Sequence, residues 1–246
     1  MRARLLTIVT AFALAACGGT ETGNPFMAET RVHAHSSDAG RVAVLADGTE
    51  ARVDQVWIGA GMIDLYGADC TTRVAQMPAP MTGDDHAQPG AEELTYQLRE
   101  DPLCAIAVPL AQVGTVPAGA PPELAGHSIL VTGVRTSDGV PFRIRTGLVA
   151  EVFIPELVAG THFTIAEDQP ATFLGFDVAT WIGGAVDLPG ATPTAGTILI
   201  EMGADDARLA AFEDNLAPGF ELYDDPDTSG SATAGEAKLA KGTDFR

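Results

Sequence analysis

The chain of 246 residues carries 33 Asp and Glu against 14 Lys and Arg, a formal net charge of −19 at pH 7. Because nucleic-acid affinity comes mainly from Lys and Arg side chains that neutralise phosphates, a charge of this sign excludes nucleic acid as an expected partner. A chain of this length in which 46% of residues are hydrophobic can bury a full core, as one domain or as two small ones.

The first 16 residues have the features of an export signal. Arg2 and Arg4 precede an apolar run over residues 5–16, which is shorter than the roughly 20 residues that a membrane-spanning helix requires. No other segment is apolar over such a length, so we expect no transmembrane helix. The run ends in Leu-Ala-Ala-Cys at residues 14–17, which resembles the lipobox of bacterial lipoproteins.

This resemblance implies that the signal peptide, residues 1–16, is removed and that the Cys17 thiol carries a diacylglyceryl group. The new amino group is usually acylated as well, as by palmitate. Two or three acyl chains hold a protein firmly in a membrane, where a single chain would not. The alternative is a soluble secreted protein in which Cys17 is incidental.

Residues 17–27 are predicted to form a flexible tether, since the stretch after Cys17 is small and polar and buries little apolar surface. Lipoproteins retained in the inner membrane of enteric bacteria usually have Asp directly after the lipidated cysteine, whereas this chain has Gly18. The outer membrane of the cell envelope is therefore the favoured location.

Residues 28–203 are predicted to form a mainly β domain, an antiparallel β-sandwich or a barrel-like sheet. The segment consists of short alternating or β-branched runs broken by glycine, proline and aspartate. Asp47-Gly48 and Asp138-Gly139 are typical of hairpin turns, and a loop at residues 117–122 could mark a subdivision. The runs cover residues 31–35, 41–45, 52–66, 94–98, 104–110, 128–134, 142–153, 162–165, 172–178 and 197–201.

With Cys17 assigned to lipid, Cys70 and Cys104 are the two remaining cysteines, and thiols in an oxidising compartment pair. We expect one disulfide, which would stabilise the fold by roughly 3 to 4 kcal/mol on the chain-entropy model. A metal-thiolate site or a catalytic cysteine is the alternative. The segment at residues 78–93, rich in proline, glycine and acid, is predicted to be an exposed loop inside the disulfide ring.

Residues 204–246 are predicted to contain a helix and an acidic tail. Leu209, Phe212 and Leu216 recur at helical spacing, Asp205 and Asp206 precede them, and Pro218-Gly219 ends the pattern. Residues 236–241 are predicted to form a last short helix.

Three histidines form a candidate site for copper or zinc. In a strand, His33 and His35 point to the same face, so both imidazoles could bind one ion. His86, beside Asp84 and Asp85, could supply a third ligand. Met77 and Met81 lie nearby in the sequence, and thioether ligands would favour copper, whereas carboxylates would favour zinc. Alternatively, the first two histidines are solvent-facing residues of an edge strand.

Residues 225–236 resemble the twelve-residue calcium loop of EF-hand proteins, with Gly230 at the sixth position. Pro226 and Ala232 depart from that pattern and no second loop accompanies it, so we expect weak binding, at about 10⁻⁴ to 10⁻³ M. An acidic tail without a bound ion is the alternative. The ligands that the resemblance implies are Asp225, Asp227, Ser229, Ser231 through its carbonyl oxygen, Thr233 through water, and Glu236.

The sequence yields no catalytic residues. Residues 59–61, Gly-Ala-Gly, lack the third glycine of a dinucleotide-binding loop and are better explained by a bulge or a close backbone approach. His127, Ser128 and Asp138 have the residue types for acyl transfer, but adjacent strand residues point to opposite faces.

The sequence therefore favours a lipid-anchored envelope protein with a binding or structural β domain. Its partners would be the membrane, through the lipid, and an unidentified envelope protein or small ligand. A copper- or zinc-binding lipoprotein is the second interpretation. An envelope hydrolase that uses some of the abundant carboxylates is the third.

Overall fold

We describe the fold from a computed structural model, which covers residues 24–34, 42–78, 82–85, 92–116, 118–184, 186–228 and 236–246. The predicted signal peptide, Cys17 and the first part of the predicted tether lie outside the described residues. The strands form three sheets, in which antiparallel pairing predominates. The prediction of a mainly β, mostly antiparallel fold is confirmed.

The first sheet has the strand order β15-β14-β12-β1-β7. Within this sheet, β1 and β12 are parallel, and the other adjacent strands are antiparallel. Its strands are β1 (Phe26–Ala34), β7 (Glu92–Leu98), β12 (Ala171–Phe176), β14 (Phe220–Asp224) and β15 (Lys238–Lys241).

The second sheet has the order β13-β10-β9-β3-β2. The strand β6 pairs with residues 55–58 of β3, along the same edge of β3 as β2, which pairs with residues 50–52. The third sheet has the order β16-β11-β8-β4-β5. The second sheet contains β2 (Val42–Val44), β3 (Glu50–Ile58), β6 (Thr82–Asp85), β9 (Ile129–Arg135), β10 (Val140–Thr146) and β13 (Ile198–Ile200). The third contains β4 (Met62–Gly67), β5 (Arg73–Pro78), β8 (Leu103–Pro109), β11 (Glu151–Pro155) and β16 (Asp244–Phe245).

The chain changes sheets within two of the runs that the sequence presents as continuous. Residues 52–66 are divided between β3 and β4, and residues 142–153 between β10 and β11. At the first change, the Gly59 N–H donates to the Ser128 carbonyl at 2.7 Å, and a Cβ on Gly59 would lie 2.5 Å from the Ala111 oxygen. The expected close approach of another backbone is confirmed.

The largest hydrophobic core joins all three sheets and both helices, α1 (Val178–Ile182) and α2 (Asp206–Asp214). Leu65 and Ile144, from opposite sides of the segment 117–122, pack within this same core. Residues 117–122 therefore do not separate two independent cores.

Helix α2 agrees with the sequence prediction. The side chain of Asp205 accepts a hydrogen bond from the Arg208 N–H at 3.1 Å and caps the first turn. Leu209, Phe212 and Leu216 are buried, and the Trp181 ring meets Phe212 edge to face at 6.1 Å. The apolar face of this helix thus packs against α1.

Two local predictions are wrong. Residues 236–241 do not form a helix, because Lys238–Lys241 pair with β14 as an edge strand, and a helix this short has little stability of its own. Residues 78–93 are not one continuous loop, because β6 pairs with β3 inside that segment. In both segments, hydrogen bonding to a neighbouring strand determines the local structure.

The predicted disulfide is confirmed. Cys70, in the turn after β4, is bonded to Cys104 in β8, with 5.3 Å between the Cα atoms. Cys104 is almost fully buried and packs against Phe153 of β11. The bond therefore joins a turn to the interior of the third sheet.

Candidate metal centre

The acidic loop, residues 225–237, connects β14 to β15 at the edge of the first sheet. Backbone hydrogen bonds fix both of its ends. The Asp224 N–H donates to the Ala237 oxygen at 3.0 Å, and the Asp225 N–H donates to the Ala171 oxygen at the start of β12 at 3.2 Å. Both ends of the loop are thus hydrogen-bonded at the edge of the first sheet.

Three carboxylates converge in this loop. One ligand oxygen from each of Asp225, Asp227 and Glu236 lies within 4.8 Å of the other two. Calcium binds oxygens at 2.3 to 2.6 Å, so two of its ligands on opposite sides are about 5 Å apart. The separation in the loop is compatible with one such ion, and the group could hold a metal.

The three carboxylates differ in their exposure to solvent. Asp225 is fully buried, Glu236 is partly buried with its Oε1 atom enclosed, and Asp227 is exposed. A site built in this way has a closed side toward the sheet and an open side toward solvent. An ion here could bind water in addition to protein oxygens, as calcium commonly does.

Ionised carboxylates this close together repel one another unless a positive charge lies among them. Two unit charges about 4 Å apart repel by up to about 4 kcal/mol at an effective dielectric constant of 20, before screening by solvent. A divalent ion would convert this repulsion into attraction.

Lys238 and Lys241 of β15 form ion pairs with a carboxylate outside this group, that of Glu221. Glu221 of β14 is buried and accepts hydrogen bonds from Lys238 Nζ at 2.6 Å, from Lys241 Nζ at 3.0 Å and from the Tyr223 hydroxyl. Burial raises the pKa of Glu221, but these hydrogen bonds outweigh burial and the net pKa is lowered. Lys238 and Lys241 therefore hold β15 to β14.

The structure brings together three of the six calcium ligands implied by the sequence, namely loop positions 1, 3 and 12. Ser229, Ser231 and Thr233 lie outside the described residues. The flanks differ from those of an EF-hand, because strands rather than helices enter and leave the loop. The resemblance is thus confined to the loop itself.

The histidine site stays a prediction. His33 lies in β1 opposite Gly175 of β12, whereas His35 and His86 lie outside the described residues. Of the nearby methionines, Met77 is fully buried in the main core and Met81 is also outside the described part of the chain.

His127 and Ser128 precede β9 rather than lying in a strand, and they and Asp138 contact different groups. Ser128 is buried and donates from Oγ to the Thr146 carbonyl at 3.1 Å, while the His127 ring lies against the Ala125 carbonyl at 3.0 Å. Asp138 accepts a hydrogen bond from Arg135 at 2.7 Å. Each of the three residues thus has a separate structural partner.

Sequence patterns did not locate a cleft of about 450 Å³ between the second sheet and α2. Its side chains come from segments that are far apart in the sequence, including Arg145 of β10, Glu201 after β13 and Glu213 of α2. No fixed spacing relates such residues, so only the fold reveals the cleft.

Comparison with protein-family models, with curated proteins and with solved structures found no match. None of the helices in the described part of the chain is long and apolar enough to cross a membrane.

Proposed function

We propose that this protein is a lipid-anchored calcium-binding protein of the bacterial cell envelope, in which one Ca²⁺ closes the acidic loop. The observation that carries the proposal is the convergence of Asp225, Asp227 and Glu236 within 4.8 Å at the edge of the first sheet. The role is structural or binding rather than catalytic.

Calcium fits this group better than zinc or copper does. All three side chains offer carboxylate oxygens, which suit hard cations, whereas zinc and copper prefer imidazole and thiolate ligands. Ser229, the Ser231 carbonyl and a water held by Thr233 would complete the coordination, as the resemblance to EF-hand loops implies. The ion would then have the six to eight oxygen ligands that calcium requires.

The bound ion would stabilise the end of the chain. β15 lies at the edge of the first sheet and, three residues after it ends, β16 pairs with β11 in the third sheet. Closing the acidic loop therefore fixes a segment that joins two sheets. This is the structural role that we assign to calcium.

The start of β1 and the acidic loop lie at the same end of the first sheet. Glu29, near the start of β1, is in register with Ala171, whose oxygen accepts the Asp225 N–H. From Cys17 to the start of β1 the chain can extend by at most about 3.3 to 3.6 Å per residue, or roughly 30 Å. A lipid on Cys17 would therefore hold the calcium loop near the membrane surface.

Titration calorimetry on the full-length protein in detergent, after removal of divalent cations, tests the calcium site. The wild type is expected to bind one Ca²⁺ with a dissociation constant of about 10⁻⁴ to 10⁻³ M. Glu236→Gln should abolish the heat, because it removes a ligand charge with little change in shape. Glu50→Gln, at an exposed position of the second sheet, is the matched control and should bind as the wild type does.

Two results would contradict the calcium site: no heat in the wild type, or equal heat in the wild type and Glu236→Gln. A copper or zinc signal that exceeds the calcium signal would instead favour the histidine site.

Substitution of Cys17 tests the anchor separately. Cys17→Ala should either release the protein from the membrane fraction or leave an uncleaved precursor, because the lipid supplies the attachment. Fractionation with an antibody to the mature chain reads out both results. A normally processed Cys17→Ala protein that stays with the membrane would overturn the lipoprotein assignment.

A further inference from the structure

The cleft between the second sheet and α2 is distinct from the acidic loop. Its volume of about 450 Å³ lies in the range of small-molecule sites, roughly 300 to 1,000 Å³. Segments from four parts of the fold meet there. Its lining includes His127, Arg145, Thr146, Glu201, Met202 and Glu213.

Glu213 is held in place by a buried hydroxyl. Thr146, at the end of β10, is buried and donates its hydroxyl proton to Glu213 Oε1. The same hydroxyl oxygen accepts the Leu148 N–H at 3.0 Å, so both of its roles are fixed. Within the described residues, no hydrogen bond engages Glu213 Oε2, which remains an acceptor.

Arg145 does not neutralise Glu213. Its Nε atom donates to Glu201, and these two side chains are 27% and 18% exposed. The pair cancels its own charge and leaves Glu213 as the excess charge of the cleft. A ligand with a positive charge is therefore favoured over an anion, in a protein that is itself strongly negative.

His127 adds a second acceptor. Its Nδ1 atom lies 3.0 Å from the Ala125 carbonyl oxygen, which can only accept, so Nδ1 carries the proton. In the neutral ring, Nε2 is then a lone-pair acceptor. Glu213 Oε2 and His127 Nε2 are thus both hydrogen-bond acceptors. The cleft therefore favours a ligand that donates hydrogen bonds.

The apolar part of the lining suits an aliphatic chain. Met202, in the turn after β13, is 87% exposed, and Leu148 and Leu209 also line the cleft. A methionine side chain is flexible and polarisable, so it can pack over straight alkyl chains of different length.

We propose that this cleft binds a small aliphatic cation, an amine or a guanidine. Its charged nitrogen donates to Glu213, and its alkyl chain packs against Met202 and Leu209. The site differs in place and in chemistry from the calcium loop, which takes a metal ion through clustered carboxylates.

Calorimetric titration of the full-length protein with hexylamine and with agmatine, in detergent and excess EDTA, tests the proposal. Both probes should bind in the micromolar to millimolar range, and hexanoate, which has the opposite charge, should not bind. Glu213→Gln keeps an acceptor for Thr146 but removes the charge, so affinity for both amines should fall by roughly tenfold or more. Asp214→Asn, an exposed neighbour on α2 with the same change of charge, should bind as the wild type does.

Two further variants test the apolar part of the cleft and separate the cleft from the acidic loop. Met202→Ser, at an exposed position that the fold does not need, should weaken hexylamine more than agmatine, because hexylamine depends more on apolar contact. Glu236→Gln should bind both amines normally, which separates this site from the acidic loop.

The proposal is overturned if neither amine binds, if hexanoate binds equally well, or if Glu213→Gln binds as the wild type does. A loss confined to Glu236→Gln would overturn it as well, since the amines would then occupy the acidic loop. Should Glu213→Gln fail to fold, equal amine binding by Met202→Ser and the wild type would count against the cleft.

Discussion

Two loops of this protein differ in the chemistry at their ends. The turn after β4 is tied to β8 by the Cys70–Cys104 disulfide, whereas the acidic loop between β14 and β15 brings three carboxylates together at its base. A covalent bond holds at any ion concentration, whereas a cluster of carboxylates could hold a metal ion. We therefore expect the order of the first region to be independent of calcium and, on the proposed function, that of the second to depend on it.

The largest expected effect is loss of the disulfide. Replacing both Cys70 and Cys104 by Ala should lower the free energy of unfolding by about 3 to 4 kcal/mol, because the unfolded chain gains entropy. The loss should be the same in calcium and in EDTA, as measured by urea unfolding. A loss that appears in one of the two buffers alone would show that the two loops are coupled.

The ion pairs at the base of the acidic loop come next. Glu221→Gln removes the charge that holds Lys238, Lys241 and the Tyr223 hydroxyl, and should cost about 1 to 3 kcal/mol. Glu50→Gln, at an exposed strand position, is the control and should have little effect.

The same substitution should change the dependence of stability on pH. The pKa of Glu221 in the folded state is lowered from its ordinary value of 4.5. Its contribution is therefore present above that value and is lost as the pH falls through the lowered pKa. Acid titration of stability should show a smaller fall below pH 4.5 in Glu221→Gln than in the wild type, and parallel curves would contradict the role of this network.

Calcium itself should stabilise the fold moderately. With a dissociation constant of about 10⁻⁴ to 10⁻³ M, about 10 mM calcium should add roughly 1 to 3 kcal/mol to the free energy of unfolding. Magnesium at the same concentration should do less, since it requires a tighter octahedral site. Equal stabilisation of the wild type and Asp227→Asn would argue that the ion binds elsewhere.

The smallest effect is expected in the turn that carries Cys70. The exposed carboxylate of Asp69 accepts hydrogen bonds from the Thr71 and Thr72 N–H groups and from the Thr72 hydroxyl, and the last of these contributes most to lowering its pKa. Asp69→Ala should reduce the melting temperature only slightly, because the disulfide already constrains this turn. A large reduction would mean that the turn, and not the disulfide, orders the region.

The sequence predicted those features of the fold that depend on neighbouring residues. The turns at Asp47-Gly48 and Asp138-Gly139 follow from the positive φ of Gly48 and Gly139, and α2 follows from its apolar spacing and its Asp205 cap. The disulfide was predictable because few cysteines were available to pair. These signals are local or compositional, so no knowledge of the fold was needed.

Features that depend on distant partners could not be predicted. Residues 238–241 form a strand because the edge of β14 is available and Glu221 attracts their lysines, neither of which their own spacing reveals. The EF-hand spacing predicted that Asp225, Asp227 and Glu236 lie close together. It did not predict that strands, β14 and β15, flank the loop. The cleft between the second sheet and α2 combines side chains of β10 and α2, and no periodicity relates Thr146 to Glu213.

Amide hydrogen exchange of the full-length protein in calcium and in EDTA tests the central claim most directly. Calcium should slow exchange throughout β14 and β15 and leave the amides of β4, β5 and β8 around the disulfide unchanged, while Glu236→Gln should show no difference between the buffers. Unchanged exchange in β15, or equal slowing in Glu236→Gln, would contradict closure of the acidic loop by calcium.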